Sequence, residues 1–229
     1  MLQLIVFDMD GVIVDTEYLD FQLQSAYIKS LSANPEQLTH DDFSNLVGRS
    51  GTDLLMQIKE LSQTELSFDE IEQGLADIEK EKYQAENYLP LFRSDITAIL
   101  QYARGQGILL AVASSTQKPY LLDILKNCEI EEYFDLVVSG QDFPESKPNP
   151  AIYQSVLQKL GVPASKAVAV EDSPSGIEAA KGAGIYTIAY LEERMAVDQS
   201  QADILAKDMK EVLSHVRKRH LQTLTKNDF

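Results

Sequence analysis

Leu4-Ile5-Val6-Phe7-Asp8-Met9-Asp10-Gly11 sets four consecutive apolar residues against two acids and a glycine. An apolar run this short, closed by a turn residue, reads as a parallel strand buried on both faces. Alternate side chains along a strand point the same way, so Asp8 and Asp10, at i and i+2, are placed to face one site. Two neighbouring anions repel and need a cation or a shared proton, and a hard ion such as Mg²⁺ suits oxygen ligands.

Four further runs repeat the strand signal: Leu109–Ala113, Leu136–Val138, Ala167–Val170 and Tyr186–Ala189. Helical periodicity lies between most of them. Ile96, Ile99, Leu100 and Ala103 fall on one face, as do Ile152, Val156, Leu157 and Leu160. Pro174 marks a helix start, with Gly182 and Gly184 at its end. Strand–helix alternation of this kind predicts an α/β fold, a doubly wound parallel sheet.

From about Glu17 to Asn87 the alternation stops, and only helical patterns recur: Leu19, Leu23, Ala26 and Tyr27; Leu54, Leu55, Ile58 and Leu61; Ile71, Leu75 and Ile78. This predicts an all-helical domain, residues 16–87, inserted into a core formed by residues 1–15 and 88–229. Residues 16–88 hold 15 acids and 5 bases, a balance of −10 within a chain total of −16. Asp15-Thr16-Glu17 and the stretch from Glu86 to Pro90 are the expected hinges.

A surface this acidic repels phosphate backbones and anionic lipid, so no nucleic-acid or membrane partner is expected. No stretch approaches the roughly 20 apolar residues of a membrane span. The first residues lack the basic start of a signal peptide. One cysteine, Cys128, excludes an internal disulfide framework and a cysteine-cluster zinc site, and suits a reducing compartment. A cytoplasmic protein is the expectation. The basic run Arg217-Lys218-Arg219-His220 reads as a solvated helix end.

In open α/β sheets ligands bind beyond the carboxyl ends of the strands. Beyond Asp8 and Asp10, three more strand ends carry polar groups there. Ser114-Ser115-Thr116 offers hydroxyls and N–H groups to an anion. Lys147, in the proline-flanked Ser146-Lys147-Pro148-Asn149-Pro150, can offset carboxylates or meet a phosphate. Glu171-Asp172 is a second acidic pair, and Glu171 so close to an apolar strand needs partners. Each has an ordinary use as a turn, a helix cap or a surface lysine. Coincidence at four strand ends favours a functional reading of the set.

The ordered set Asp8-Met9-Asp10-Gly11, Ser114, Lys147 and Glu171-Asp172 resembles the four motifs of the haloacid dehalogenase (HAD) superfamily of phosphotransferases. The run from Phe7 to Glu17 matches the first motif almost in full, and that from Glu171 to Ala180 the fourth. The resemblance spans nearly the whole chain. It implies a Rossmann-like core with a helical cap of the family's first type, in the branch of β-phosphoglucomutase and small sugar-phosphate phosphatases.

Roles follow from the resemblance. Asp8 is the implied nucleophile, becoming an aspartyl phosphate. Asp10 is the implied acid and base. Mg²⁺ is the implied cofactor, held by Asp8, the Asp10 carbonyl and Asp172, with Glu171 ligating or just behind. Lys147 and Mg²⁺ together neutralise the charge that bars a carboxylate from a phosphate dianion. Ser114 and the Ser115 backbone are expected on the phosphoryl oxygens. In the cap, Gly48 and Arg49 match a substrate-contacting loop, and Arg49 is one of only five cations there.

The mutase carries a cap histidine shortly after the first motif. Here no histidine occurs from Asp15 to Thr39, so water is the expected phosphoryl acceptor. The dehalogenase branch lacks the second acid of the D-x-D pair, so Asp10 argues against dehalogenation. The expected activity is therefore a Mg²⁺-dependent phosphatase acting, as a monomer, on a small phosphorylated metabolite, a sugar phosphate foremost. Phosphosugar mutation is the alternative, and a non-catalytic phosphometabolite or metal sensor a third reading.

Overall fold

Six strands form one all-parallel sheet in the order β3-β2-β1-β4-β5-β6. They are β1 Leu4–Phe7, β2 Leu109–Ser114, β3 Leu136–Ser139, β4 Ala167–Glu171, β5 Tyr186–Tyr190 and β6 Ile204–Ala206. The computed structural model describes residues 1–47, 49 and 51–225, the last four of these by backbone alone. Strand order reverses at β1, which pairs with β2 on one side and β4 on the other, the switch point where open sheets bind ligands.

Strand alternation sorts the core into two layers. Ile5, Phe7, Leu110, Val112, Val168 and Val170 pack against α6 (Thr97–Gly105), α7 (Lys118–Asn127) and α10 (Met209–Thr225). Leu4, Val6, Ala111, Ala113, Ala167 and Ala169 face α8 (Ala151–Leu160) and α9 (Pro174–Gly182). The four central residues of β1 are wholly buried, which fixes the strand that carries the first acids.

The ladder runs one polar residue further than the apolar runs at Ser114, Ser139 and Glu171. Ser114 is in register with Ser139, and Glu171 with Ala189. The short edge strand β6 is unforeseen in the sequence. Its three residues pair with Ile188, Ala189 and Tyr190 while Leu205 remains exposed.

Among the described residues, 16–88 contribute helices and no strand: α1 Thr16–Leu31, α2 His40–Ser44, α3 Gly51–Ser62, α4 Phe68–Lys82 and α5 Ala85–Tyr88. Reciprocal capping boxes start two of them, Thr39 with Asp42 and Ser67 with Glu70. Ile28, Phe43, Leu55, Ile58 and Ile71 form a separate apolar cluster inside this segment. The chain leaves and re-enters the core side by side: Asp15 N donates to Leu91 O at 2.9 Å, and Arg93 N to Ile13 O at 3.1 Å. The basic run lies within α10 rather than at its end, and Arg217 and Arg219 stack on Tyr102 and Tyr186.

Candidate active site

Asp8 follows β1 directly, and its N–H donates to Val170 O of β4. The chain then turns tightly. Ile13 and Val14 N–H groups return to Met9 O, and Gly11 takes φ +77°, a left-handed conformation that glycine adopts without strain. A Cβ at Gly11 would stand 1.8 Å from Asp172 Oδ2, and one at Gly176 would stand 2.0 Å from Glu171 Oε2. Both glycines make room for carboxylates.

Lys147, a loop residue, is nevertheless buried. Its ammonium donates to Asp8 Oδ1 at 2.9 Å, to Ala113 O at 2.9 Å and to Glu171 Oε1 at 2.6 Å. The Tyr153 hydroxyl also donates to Glu171 Oε1. Burial lowers the affinity of Lys147 for its proton, but Asp8 and Glu171 outweigh that and hold it above the ordinary lysine range. One cation does not satisfy three acids. Burial, with repulsion from Glu171 and Asp10, raises Asp8 to about 7 despite Lys147. Asp172 lies well above the usual carboxylate range, through burial and the nearby Glu17, Asp8 and Glu171.

Asp8, Glu171 and Asp172 each offer a carboxylate oxygen, all within 4.8 Å of one another. Glu171 Oε2 and Asp172 Oδ1 are buried with no hydrogen-bond partner. Three carboxylates gathered this closely, two of them with an oxygen left without a hydrogen-bond partner, are the donor set a hard divalent cation requires. The residues present fit magnesium.

Asp10 has a different environment. Its Oδ1 accepts from Thr16 Oγ1 at 2.5 Å and its Oδ2 from Thr116 Oγ1 at 2.6 Å. The Tyr83 hydroxyl reaches both oxygens, at 3.0 and 2.9 Å. Lys82 Nζ lies 3.6 Å from Oδ1 and 3.7 Å from Asp20 Oδ1. Burial alone would raise Asp10, but Lys82 and the three hydroxyls outweigh it and hold the carboxyl below its usual value.

Asp8, Asp10, Lys147 and Asp172 line one cleft of about 320 Å³, bounded on the other side by residues of α1, α2 and α4. Ser114, buried, and Ser115, exposed, both line it. Arg49 also lines it, at an exposed position where it pairs with Asp53 at 2.7 Å and donates to Asn45 O. Gly48 lies outside the described residues. Glu17 faces the same cleft, and burial with the nearby Asp20 raises it to about 8.

The sequence-derived set of Asp8, Asp10, Ser114, Ser115, Lys147, Glu171 and Asp172 is thus brought to one rim. Thr16, Lys82, Tyr83, Thr116 and Tyr153 are additions. Thr16 and Thr116 sat inside quoted motifs. Lys82 shared with Arg49 only the signal of a cation in an acidic segment, and Tyr83 and Tyr153 gave none.

A family model for haloacid dehalogenase-like hydrolases matches residues 5–190, and the chain belongs to that family. It is 34% identical over 190 residues to the phosphorylated carbohydrates phosphatase of Thermotoga maritima, an alignment covering 82% of this chain and 84% of that protein. Among solved structures, CbbY from Rhodobacter sphaeroides in complex with phosphate superposes with a TM-score of 0.69 at 27% identity, covering 93% of this chain and 96% of that one. A β-phosphoglucomutase from Clostridium difficile shares the fold, with a TM-score of 0.76 at 17% identity over 98% of this chain and 100% of that one.

Proposed function

We propose that the protein is a magnesium-dependent phosphomonoesterase that hydrolyses a small phosphorylated carbohydrate through an aspartyl phosphate on Asp8. The observation that carries this reading is the division of the rim. Asp8, Glu171 and Asp172 crowd around one lysine with orphaned oxygens, while Asp10 is held apart by hydroxyl donors.

Asp8, Asp172, the Asp10 carbonyl and Glu171 are the groups that would hold magnesium, which supplies positive charge against the repulsion between Asp8 and the phosphate. An Asp8 oxygen attacks phosphorus, the bond to the sugar oxygen breaks, and Asp10, which takes up the proton of the phosphate monoanion as the substrate binds, delivers it to that oxygen. Asp10 then takes a proton from water as the water attacks phosphorus, and the Asp8 carboxylate is released with inorganic phosphate. The carboxylate form favoured in the free protein is the form that accepts the water's proton. Ser114 and the Ser115 backbone hold phosphoryl oxygens, and Lys147 keeps its charge throughout.

The helical segment 16–87 acts as a cap that closes over the rim and shuts out bulk water. Arg49, at the mouth, attracts the anionic substrate. Asp10 faces Lys82 and Tyr83 from the cap, and no histidine lines the cleft among the described residues, which supports water as the acceptor. Among the described residues no helix is long and apolar enough to cross a membrane. We place the enzyme in the cytoplasm as a monomer without nucleic-acid partners.

The test is phosphate release from a panel of sugar phosphates with and without Mg²⁺. Activity should need the metal and vanish in Asp8→Asn with the melting temperature retained. Turnover by Asp8→Asn at the native rate would overturn the covalent route.

A further inference from the structure

We propose that Tyr83 is a positioning residue of this reaction: its phenol fixes the orientation of the Asp10 carboxylate for proton transfer with the leaving oxygen. The inference rests on the reading of Asp10 as acid and base.

Tyr83 is the C-cap of α4, 73 residues from Asp10 in sequence, and only 6% exposed. Its ring stacks on Tyr120 with centroids 4.6 Å apart, and Lys82 Nζ stands 4.5 Å from the ring. The stack, the cation and burial restrain the ring, and the hydroxyl has little freedom.

Three oxygens form a triangle: Thr116 Oγ1 to Asp10 Oδ2 at 2.6 Å, Tyr83 OH to Asp10 Oδ2 at 2.9 Å, and Tyr83 OH to Thr116 Oγ1 at 2.8 Å. Two hydroxyls carry two protons, so only two of the three edges can be hydrogen bonds at once. A carboxylate is the stronger acceptor, so both protons point at Asp10. Thr16 and Thr116 each hold one Asp10 oxygen, whereas Tyr83 reaches both and so fixes the plane of the carboxylate.

Thr16 is the first residue of α1, at the junction where the chain leaves the core, and Thr116 lies in the loop after β2. Tyr83 comes from the helical segment. Asp10 is thus completely held only when that segment is seated on the rim. A displacement of about 1 Å in a catalytic group costs on the order of a hundredfold in rate, so the loss of this tie should be visible in turnover.

Tyr83→Phe keeps the ring stack and removes only the O–H. The experiment compares two leaving groups. The phenolate of p-nitrophenyl phosphate departs without a proton, whereas a sugar alkoxide needs one. For the fastest alkyl ester among glucose 6-phosphate, fructose 6-phosphate and glycerol 3-phosphate, Tyr83→Phe should lower kcat/KM, which reports the transfer to Asp8 and not the later attack of water, about 10- to 100-fold. For p-nitrophenyl phosphate the loss should be under about threefold. Asp10→Asn, run in parallel, should show the same bias more strongly.

Equal loss on both esters, or no loss, in Tyr83→Phe while Asp10→Asn keeps its bias overturns the role of Tyr83 and leaves Asp10 in place. Absence of bias in Asp10→Asn, or an unmodified enzyme that cleaves no alkyl ester, overturns the acid/base reading and the inference with it.

Discussion

The ammonium of Lys147 stands 2.6 Å from Glu171 Oε1, and their side chains are 5% and 0% exposed. The same ammonium meets Asp8 at 2.9 Å, so one cation holds Asp8 and the carboxyl end of β4 together. Removing one member of a buried ion pair costs about 3–5 kcal/mol, because the partner is left charged in a poor solvent. Lys147→Met should lose at least about a hundredfold in turnover and destabilise the fold by an amount of that order, partly offset by protonation of the carboxylates. Lys147→Arg should not rescue it, since a planar fork does not fit where a point charge serves three acceptors. Urea unfolding and phosphate release together check this. Native stability and rate in Lys147→Met would sink it.

The metal-free protein should lose stability as pH rises from about 4 to about 8. Asp8 is raised from 3.8 to about 7 by burial and its acidic neighbours, and Glu17 from 4.5 to about 8 by burial and Asp20. In that window the folded chain holds protons that the unfolded chain has released, so stability falls with pH. Asp10 works in the opposite sense, but its lowered value puts its contribution at risk only below 3.8. Magnesium binds the deprotonated acids, so its effect on melting temperature should be larger at pH 8 than at pH 5.5 and reversed by a chelator. A melting temperature flat across this range in chelator, or a larger magnesium effect at the lower pH, would contradict the assignment.

How far the sequence carries depends on how locally each feature is encoded. Strands β1 to β5 are legible because each is an apolar run with a sharp boundary. Strand β6 is only three residues long and half solvent-facing at Leu205, so its pattern does not stand out. Ser114 and Glu171 end their apolar runs and so read as loop, yet ladder pairing extends through them. Asp8, Asp10, Lys147, Glu171 and Asp172 are legible because all follow or end a strand of one sheet. Lys82 and Tyr83 arrive from a helix whose seating no local pattern encodes. Nothing in the sequence separates the buried Lys82 from the exposed Arg49.

Gly176 makes room for the Glu171 carboxylate. It lies in the first turn of α9, where alanine is a better helix former by up to about 1 kcal/mol. Its added Cβ would meet Glu171 Oε2 at 2.0 Å and push that carboxylate off the shared point. Gly176→Ala should therefore fold with less than native stability, since the same shift disturbs the buried Lys147–Glu171 pair, and need about tenfold or more magnesium for half-maximal activity. Gly11→Ala should be worse on both counts, since it adds backbone strain at φ +77° to a clash with Asp172 Oδ2. Calorimetry and magnesium titration measure the two effects. An unchanged magnesium requirement in Gly176→Ala would remove Glu171 from the ion's surroundings.

Arg194 ties the loop after β5 to the first junction of the helical segment. Its Nη1 and Nη2 donate to the two Asp15 oxygens at 2.8 and 2.7 Å, and its guanidinium lies 4.3 Å from the Tyr18 ring centroid on α1. Arg93 holds the same carboxylate at 2.9 Å, so Asp15 is pinned from two sides where the chain leaves the core. Arg194 is 39% exposed, which limits the pair to about 1 kcal/mol even with bidentate geometry. Such an energy hardly affects global unfolding but matters for a segment that must seat on the rim. Arg194→Ala should leave the melting temperature within a few degrees and raise KM about three- to tenfold, with kcat less affected, because an unseated segment taxes binding by its population. Asp15→Asn, which weakens both arginine contacts, should exceed it. A kcat loss with unchanged KM in Arg194→Ala would show that this arginine serves the chemistry rather than the seating of the segment.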